Sequence, residues 1–212
     1  MQIVSGKYRH RKLETSPGET TRPITARVKV ALFDRLQPWL ADARVADIFA
    51  GTGTIGLEAL SRGARSVVFV ESDRIAYDLL KRNVATLGAA NETFCWSTDA
   101  SKCSFRPKGE GERFLPFDVI FFDPPYRFAR RLEAGTMLYR SLERLAREEI
   151  SAPDALLVFR CARKTTFAIP PVWHSWQMLP YASMEVHLFR KSADDHGMHE
   201  LEGESGEEAA NS

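Results

Sequence analysis

Residues 47–60 read DIFAGTGTIGLEAL. A short apolar run, VADIF at 45–49, enters three glycines, Gly51, Gly53 and Gly56, and an amphipathic stretch, IGLEALSRG at 55–63, leaves them. GxGxxG after a strand and at the mouth of a helix permits a tight turn and brings a ligand close to the backbone. Twenty residues beyond Gly51, at the end of SVVFVE (66–71), stands Glu71, placed to accept both hydroxyls of a ribose. Asp47, before the loop, and Asp99, at the end of a third strand, are candidates to meet amino groups of the same ligand. Capping or turn formation is the alternative for both, the more so for Asp99.

Working outward from the loop, apolar runs alternate with helical periodicity. RIAYDLLKRNVATLG (74–88) predicts a helix, ETFCWS (92–97) a strand, FDVIFFD (117–123) a strand, residues 131–149 a helix and ALLVFRC (155–161) a strand. Two further extended segments, near 173–178 and 183–190, close the domain. Continuous apolar strands separated by helices indicate a parallel sheet covered on both faces, with ligands bound beyond the strands' C-terminal ends. Upstream, QIV-SGKY-RHRKL predicts a short basic β-hairpin. A loop containing Pro17, Gly18 and Pro23 follows, and Thr25 caps a helix of about 12 residues that Pro38 ends.

The second motif, DPPY at 123–126, falls at another such strand end. Pro124 confines Asp123 to extended geometry, and Pro125 stiffens the loop. Prolines supply no N–H, so the Pro124 carbonyl stays available beside the Asp123 carboxylate. Two acceptors beneath the ring of Tyr126 suit a planar group bearing an NH₂, held towards a methyl donor in the neighbouring pocket. The glycine loop alone does not separate NAD from S-adenosylmethionine, because both offer an adenosine ribose. A dehydrogenase needs a substrate domain for which little chain remains, and it has no use for DPPY. A second Pro-Pro, in IPPVW at 169–173, lacks the acid and receives no role.

Together, GKYRHRKL, RPITARVKVALFDRL, FAGTGTIGLEALSRGA and FFDPPY resemble the RsmD family of bacterial small-subunit ribosomal RNA guanine-N2 methyltransferases, over about residues 2–190. The resemblance implies a class I S-adenosylmethionine-dependent methyltransferase fold, Rossmann-like, with a seven-stranded mostly parallel sheet and an antiparallel last strand. It implies S-adenosylmethionine held by Asp47, by Ala50, Gly51, Thr52 and Gly53 of the loop, and by Glu71 and Asp99. It assigns Asp123, Pro124, Pro125 and Tyr126 to the guanine, with no metal. The family's usual RPT, a following acid and a later Glu are departed from here by Ile24, Ala26 and Val30, while Arg22, Pro23, Thr25 and Arg27 remain. DNA adenine-N6 and protein glutamine-N5 methyltransferases share such loops, and a non-catalytic RNA-binding module is the alternative from another class.

Charge agrees with a polyanionic partner, ribosomal RNA or the small ribosomal subunit. Residues 1–35 carry eight Lys/Arg against three acids, and 192–212 carry seven acids without Lys or Arg, so a net +1 chain becomes +8 over 1–191. Lys7, Arg9, Arg11 and Lys12 of the hairpin, Arg22 and Arg27 after it, and Arg127, Arg130 and Arg131 beside DPPY are the expected RNA contacts. The expected organisation is one domain over 1–191, including the hairpin and first helix (1–40), and a disordered acidic tail over 192–212. Hydrophobic and charged fractions of 44% and 27% are those of a globular chain, and no apolar run approaches a membrane span. A monomer in the cytoplasm is expected. The three cysteines (Cys95, Cys103, Cys161) show no metal-ligand spacing and are expected to be reduced structural thiols.

Overall fold

A computed structural model describes residues 1–15 and 25–192. The expected loop at 16–24, Arg22 and the tail from 193 onward lie outside the described residues.

Helix α1 (Ala26–Leu40) starts at Thr25, whose hydroxyl accepts from the Val28 N–H at 3.4 Å, and buries Leu32, Phe33, Leu36 and Leu40. Pro38 does not end it, contrary to expectation. The lost bond would run to the carbonyl of Asp34, a residue that, like Pro38, faces solvent, and Leu40 keeps the last turn anchored in the core. Then follow β1 (Arg44–Ile48), α2 (Thr54–Ser61), β2 (Ser66–Glu71), α3 (Arg74–Leu87) and β3 (Thr93–Ser97). Helix α3 begins at an Asp73 cap that accepts from the Ala76 N–H at 2.8 Å, and Gly88 ends it in the left-handed region.

Beyond β4 (Phe117–Phe122), a short helix, α4 (Tyr126–Ala129), follows directly on DPPY, and the helix expected over 131–149 is confined to α5 (Met137–Leu145). Gly135 sits at φ 80°, which breaks the run, and the Thr136 hydroxyl caps a new start. Strand β5 (Ser151–Ala162) begins earlier than expected and takes in Pro153, beside the register shift between Phe117 and Val119 that spares proline a ladder bond. Strands β6 (Trp173–Tyr181) and β7 (Met184–Lys191) complete the regular structure of the described residues.

The seven strands lie in the order β3-β2-β1-β4-β5-β7-β6. Pairs among β1 to β5 are parallel, while β7 inserts antiparallel between β5 and β6. Buried side chains pack on both faces, in one cluster around Phe33, Leu57 and Phe69 and in another around Phe122, Leu142 and Phe159. No helix among the described residues is long and apolar enough to cross a membrane.

The N-terminal hairpin closes on a single bridge, Gln2 with Lys12, rather than on two strands. Two residues of α2 anchor it: Ser61, which accepts from the Lys7 and Tyr8 N–H groups at 2.8 and 2.9 Å, and Glu58, fully buried, which accepts from the Val4 and Ser5 N–H groups at 2.9 and 3.2 Å. The same carboxylate pairs with Lys29 at 3.0 Å and with Arg62 at 2.9 Å, so Lys29 serves the core rather than the basic surface. Asn83 of α3, 2% exposed, makes a second brace. Its amide donates to the carbonyls of Thr52 and Glu14 at 2.9 and 3.0 Å, and its oxygen accepts from the Glu14 N–H at 2.8 Å. Asn83→Ala leaves the buried Thr52 carbonyl and two part-buried backbone groups of Glu14 without this partner and is expected to lower stability by about 1–3 kcal/mol, read by urea unfolding. A change below ~0.5 kcal/mol would mean that water replaces the brace.

Candidate functional site

The C-terminal ends of β1, β2, β4 and β5 converge on one mouth. Parallel register places Ile48 beside Val70 and Phe122, and Phe122 beside Phe159, so Phe49–Gly53, Glu71, Asp123 and Arg160 are adjacent strand ends. The glycine loop turns sharply there, with Phe49, Gly51 and Gly53 at φ 67°, 55° and 81°. Gly53 caps α2 in the left-handed region, and a Cβ at Gly56 would collide with the Phe69 ring. Both glycines are therefore required, one for its dihedral and one for the close approach of helix to sheet.

Each acid takes a definite part. Glu71 grips the loop: one oxygen accepts from the Gly51 N–H at 2.7 Å and the other from the Asp73 N–H at 2.7 Å. It is half-exposed, with lone pairs left for hydroxyls. Asp47 is 1% exposed and accepts from the Gly56 N–H at 2.8 Å, fastening the helix start to β1. Asp99 is exposed and accepts from the Ser101 N–H at 2.8 Å in a local turn. Ala50 and Thr52 are buried, and the Ala50 carbonyl accepts from the Gly53 N–H at 2.8 Å.

Burial pushes the Asp47 carboxyl up from 3.8 to about 7; the Gly56 N–H opposes this, and the charges of Asp123 and Glu71 add to it. A carboxyl whose folded-state pKa lies above its unfolded value holds its proton more tightly when folded. Its stabilisation is complete below about pH 4 and is lost as pH rises towards 7. In the ligand-free protein, Asp47→Asn is expected to gain Tm over the wild type progressively between pH 4 and 7 and to hold that gain above it. Melting curves across this range check it; a difference that does not vary with pH would count against a titrating Asp47.

At DPPY, the Asp123 N–H donates to the Ile48 carbonyl at 3.2 Å, continuing the ladder to the last residue before the prolines. The Pro125 carbonyl accepts from the Phe128 N–H at 2.7 Å and starts α4, whereas the Pro124 carbonyl has no hydrogen bond among the described residues. Tyr126 is half-buried at the same turn. Asp123, Pro124 and Tyr126 thus stand together in the turn that leaves β4.

Arg160, on β5, is the residue that sequence reasoning passed over. Its Nε and Nη2 donate to Asp123 Oδ1 and Oδ2 at 2.7 and 2.6 Å. The available signal was a lone arginine ending the apolar run ALLVF. Burial alone would lower the Arg160 pKa, but the Asp123 carboxylate more than offsets this and the net shift is upward.

The expected RNA contacts fall in two groups. Arg127, Arg130 and Arg131 are exposed on and after α4, beside DPPY, with the Arg127 guanidinium 4.8 Å from the exposed Phe128 ring. On the hairpin, Arg9 and Lys12 are exposed, Lys7 pairs with Glu92 at 2.5 Å, and Arg11 donates to the Thr86 carbonyl at 2.6 Å. Arg27 is exposed on the first turn of α1. The register of β5 against β7 also gathers Cys161, Glu185 and His187, whose ligand atoms lie within 4.8 Å of one another, a grouping that sequence spacing conceals. Burial raises the Cys161 thiol to about 11.

The same architecture occurs in known proteins. The Haemophilus influenzae protein named ribosomal RNA small subunit methyltransferase D is 31% identical over 173 residues, covering 82% of this chain and 84% of that one. The Escherichia coli K12 protein of the same name is 38% identical over 127 residues, covering 60% and 61%. Among solved structures, Escherichia coli yhhF, described as a candidate methyltransferase, aligns with a TM-score of 0.75 at 30% identity, covering 92% of this chain and 99% of that one. A family described as Conserved hypothetical protein 95 matches residues 1–190, and the chain belongs to it, the RsmD family.

Proposed function

We propose that the protein methylates the exocyclic N2 amine of a guanine in small-subunit ribosomal RNA, using S-adenosylmethionine. The observation that supports this reading is the DPPY turn, where the Asp123 carboxylate, a Pro124 carbonyl without a hydrogen bond among the described residues, and Tyr126 follow one another one strand away from the glycine loop. The substrate class comes from the relatives' names together with the basic residues around the site.

The residues present fit the cofactor. Glu71 offers carboxylate acceptors to a ribose diol at the rim of the mouth, backbone from Ala50 to Gly53 lines the turn beside it, and Asp99 has a second oxygen for an adenine amine. Asp47 serves the same site from below, by holding Gly56. When bound, S-adenosylmethionine supplies an electrophilic methyl group: the amine lone pair forms the N–C bond as the C–S bond breaks, its electrons staying on sulfur.

The remaining work belongs to the chain. Asp123 and the Pro124 carbonyl accept the two amine hydrogens, drawing the lone pair out of conjugation and aiming it. Tyr126 stacks on the base, returning about 1–3 kcal/mol of the few kcal/mol spent unstacking it. After transfer the nitrogen sheds one proton, for which Asp123 is the carboxylate in contact. Arg127, Arg130 and Arg131 hold neighbouring phosphates, and Arg9 and Lys12 grip backbone further away.

The test supplies labelled S-adenosylmethionine with four acceptors: small subunits and naked ribosomal RNA from cells lacking guanine-N2 enzymes, DNA, and protein. N2-methylguanine in nucleoside digests of either ribosomal acceptor is the expected result. Label in DNA or protein, or at another RNA atom, overturns the assignment.

A further inference from the structure

We propose that Arg160 is a positioning residue for methyl transfer, locking the Asp123 carboxylate in one plane so that the incoming amine meets a fixed acceptor. The inference rests on the reading that Asp123 receives an exocyclic amine.

A carboxylate at the end of a strand is ordinarily a loose acceptor, because its last torsion joins an sp³ to an sp² carbon and is broad. Asp123 lacks that freedom. Two near-parallel bonds from Arg160, at 2.7 and 2.6 Å, hold both of its oxygens, the fork-to-fork geometry that fixes orientation as well as distance. The fork is itself held. Arg160 lies within the β5 ladder opposite Val186 of β7, one residue beyond the register pair of Phe122 with Phe159. The Asp123 backbone is tied to Ile48 of β1. Three neighbouring strands therefore determine where this carboxylate sits.

The clamp leaves the acceptor usable. A carboxylate has about four lone-pair sites, and the guanidinium takes one on each oxygen, so one remains on each for an amine hydrogen. Arg160 also has little else to do. Beyond Asp123, its Nη1 reaches among the described residues only the Met184 sulfur, at 4.0 Å. A structural ion pair would be equally well served by a lysine, but a planar clamp would not, because an ammonium makes point contacts and leaves the torsion free. Side chains of Arg160 and Asp123 are 12% and 17% exposed, so water competes weakly for either partner. Misplacing a reacting group by about 1 Å can reduce a rate by about 10²-fold, and this is the effect expected of releasing the clamp.

The experiment uses the full chain, S-adenosylmethionine and whichever ribosomal acceptor the wild type methylates. Arg160→Gln, Arg160→Lys, Asp123→Asn and the Arg160→Gln/Asp123→Asn pair are compared. Single-turnover rates are measured at saturating RNA and cofactor, with RNA KM, S-adenosylhomocysteine affinity by calorimetry and melting temperature alongside. Arg160→Gln is expected to slow the single-turnover rate about 10²-fold while KM and cofactor affinity stay within ~3-fold. Arg160→Lys, which retains the charge, should recover about a tenfold part of that loss and no more. On the Asp123→Asn background, Arg160→Gln should remove less than about 3-fold further, because it acts through the group already altered.

An Arg160→Gln rate within ~3-fold of wild type, a loss lying wholly in cofactor affinity, or two losses that multiply would each overturn the proposal. Full activity in Arg160→Lys would reduce Arg160 to a charge partner and overturn it as well. Should Arg160→Gln not fold, the lysine variant decides alone: a rate about tenfold below wild type supports the clamp, and an undiminished one sinks it. A wild type that methylates no amine removes this proposal together with the functional reading, whereas an active wild type with an undiminished glutamine variant removes this proposal only.

Discussion

Asp123→Ala is expected to lower methyl transfer to ribosomal RNA by about 10²–10³-fold, the usual effect of deleting one preorganised electrostatic group aimed at a reacting atom. The carboxylate accepts one amine hydrogen, so without it the lone pair stays in the ring's π system and the amine is free to rotate out of line. The Pro124 carbonyl cannot compensate alone, because it holds only the other hydrogen. Binding of S-adenosylhomocysteine should change little, since Glu71 and the loop from Ala50 to Gly53 are untouched. The alanine variant also leaves Arg160 facing a gap, so its melting temperature has to be measured beside its rate; Asp123→Asn, of equal size, separates the two effects. Single-turnover kinetics with labelled cofactor provide the rate. If the alanine variant kept more than about a tenth of wild-type activity, DPPY would not be the amine's binding turn.

The largest effect on stability is expected far from this chemistry, at Glu58. Its carboxylate accepts from the Val4 and Ser5 N–H groups, from Lys29 and from Arg62, and it is fully buried, as is Lys29. Removing one partner of a buried ion pair leaves an uncompensated charge in a poorly polarisable interior and costs about 3–5 kcal/mol. For a chain of this size, each kcal/mol moves Tm by about 2–4 °C, so Glu58→Gln should melt roughly 10 °C lower than wild type. Hydrogen exchange at the Val4 and Ser5 amides should accelerate more than exchange in β1 or β4, because these two amides lose their acceptor. A Tm within about 2 °C of wild type would show that the hairpin and Lys29 are secured elsewhere.

Much of the fold was legible because its signals are local. A strand, three glycines and a helix at 45–63 form a complete unit of sequence, and the acid at Glu71 follows at the end of the next strand. The alternation of apolar runs and helical periods then dictates a parallel sheet, and β1 to β4 lie within a residue or so of where the pattern puts them. What escaped was non-local or decided by one residue. Gly135, with its left-handed dihedral, puts off the start of α5 to Met137 within a stretch, 131–149, whose periodicity suggests one helix. Pro38 stays in α1 because the chain faces water at that point, which sequence alone does not disclose. Lys29 belongs by composition to the basic N-terminal segment but is buried against Glu58, twenty-nine positions away. Arg160 escaped for the same reason: Asp123 becomes its neighbour only through the pairing of β4 with β5, so DPPY showed one half of a pair.

The order β5-β7-β6 has a consequence for synthesis. Strand β6 is an edge strand whose one ladder is with β7, so it has no place in the sheet until β7 has been made. The first five strands can assemble as they leave the ribosome, each beside an earlier one, but the outer edge of β5 stays unpaired meanwhile. Arg160 lies on that edge, and its ladder partner Val186 is among the last residues of the described chain. Elongation at about 5–20 residues per second keeps the edge open for roughly seconds, an interval in which a second nascent chain or a chaperone can occupy it. The strand that carries Arg160 therefore gains its second neighbour only once β7 has been made.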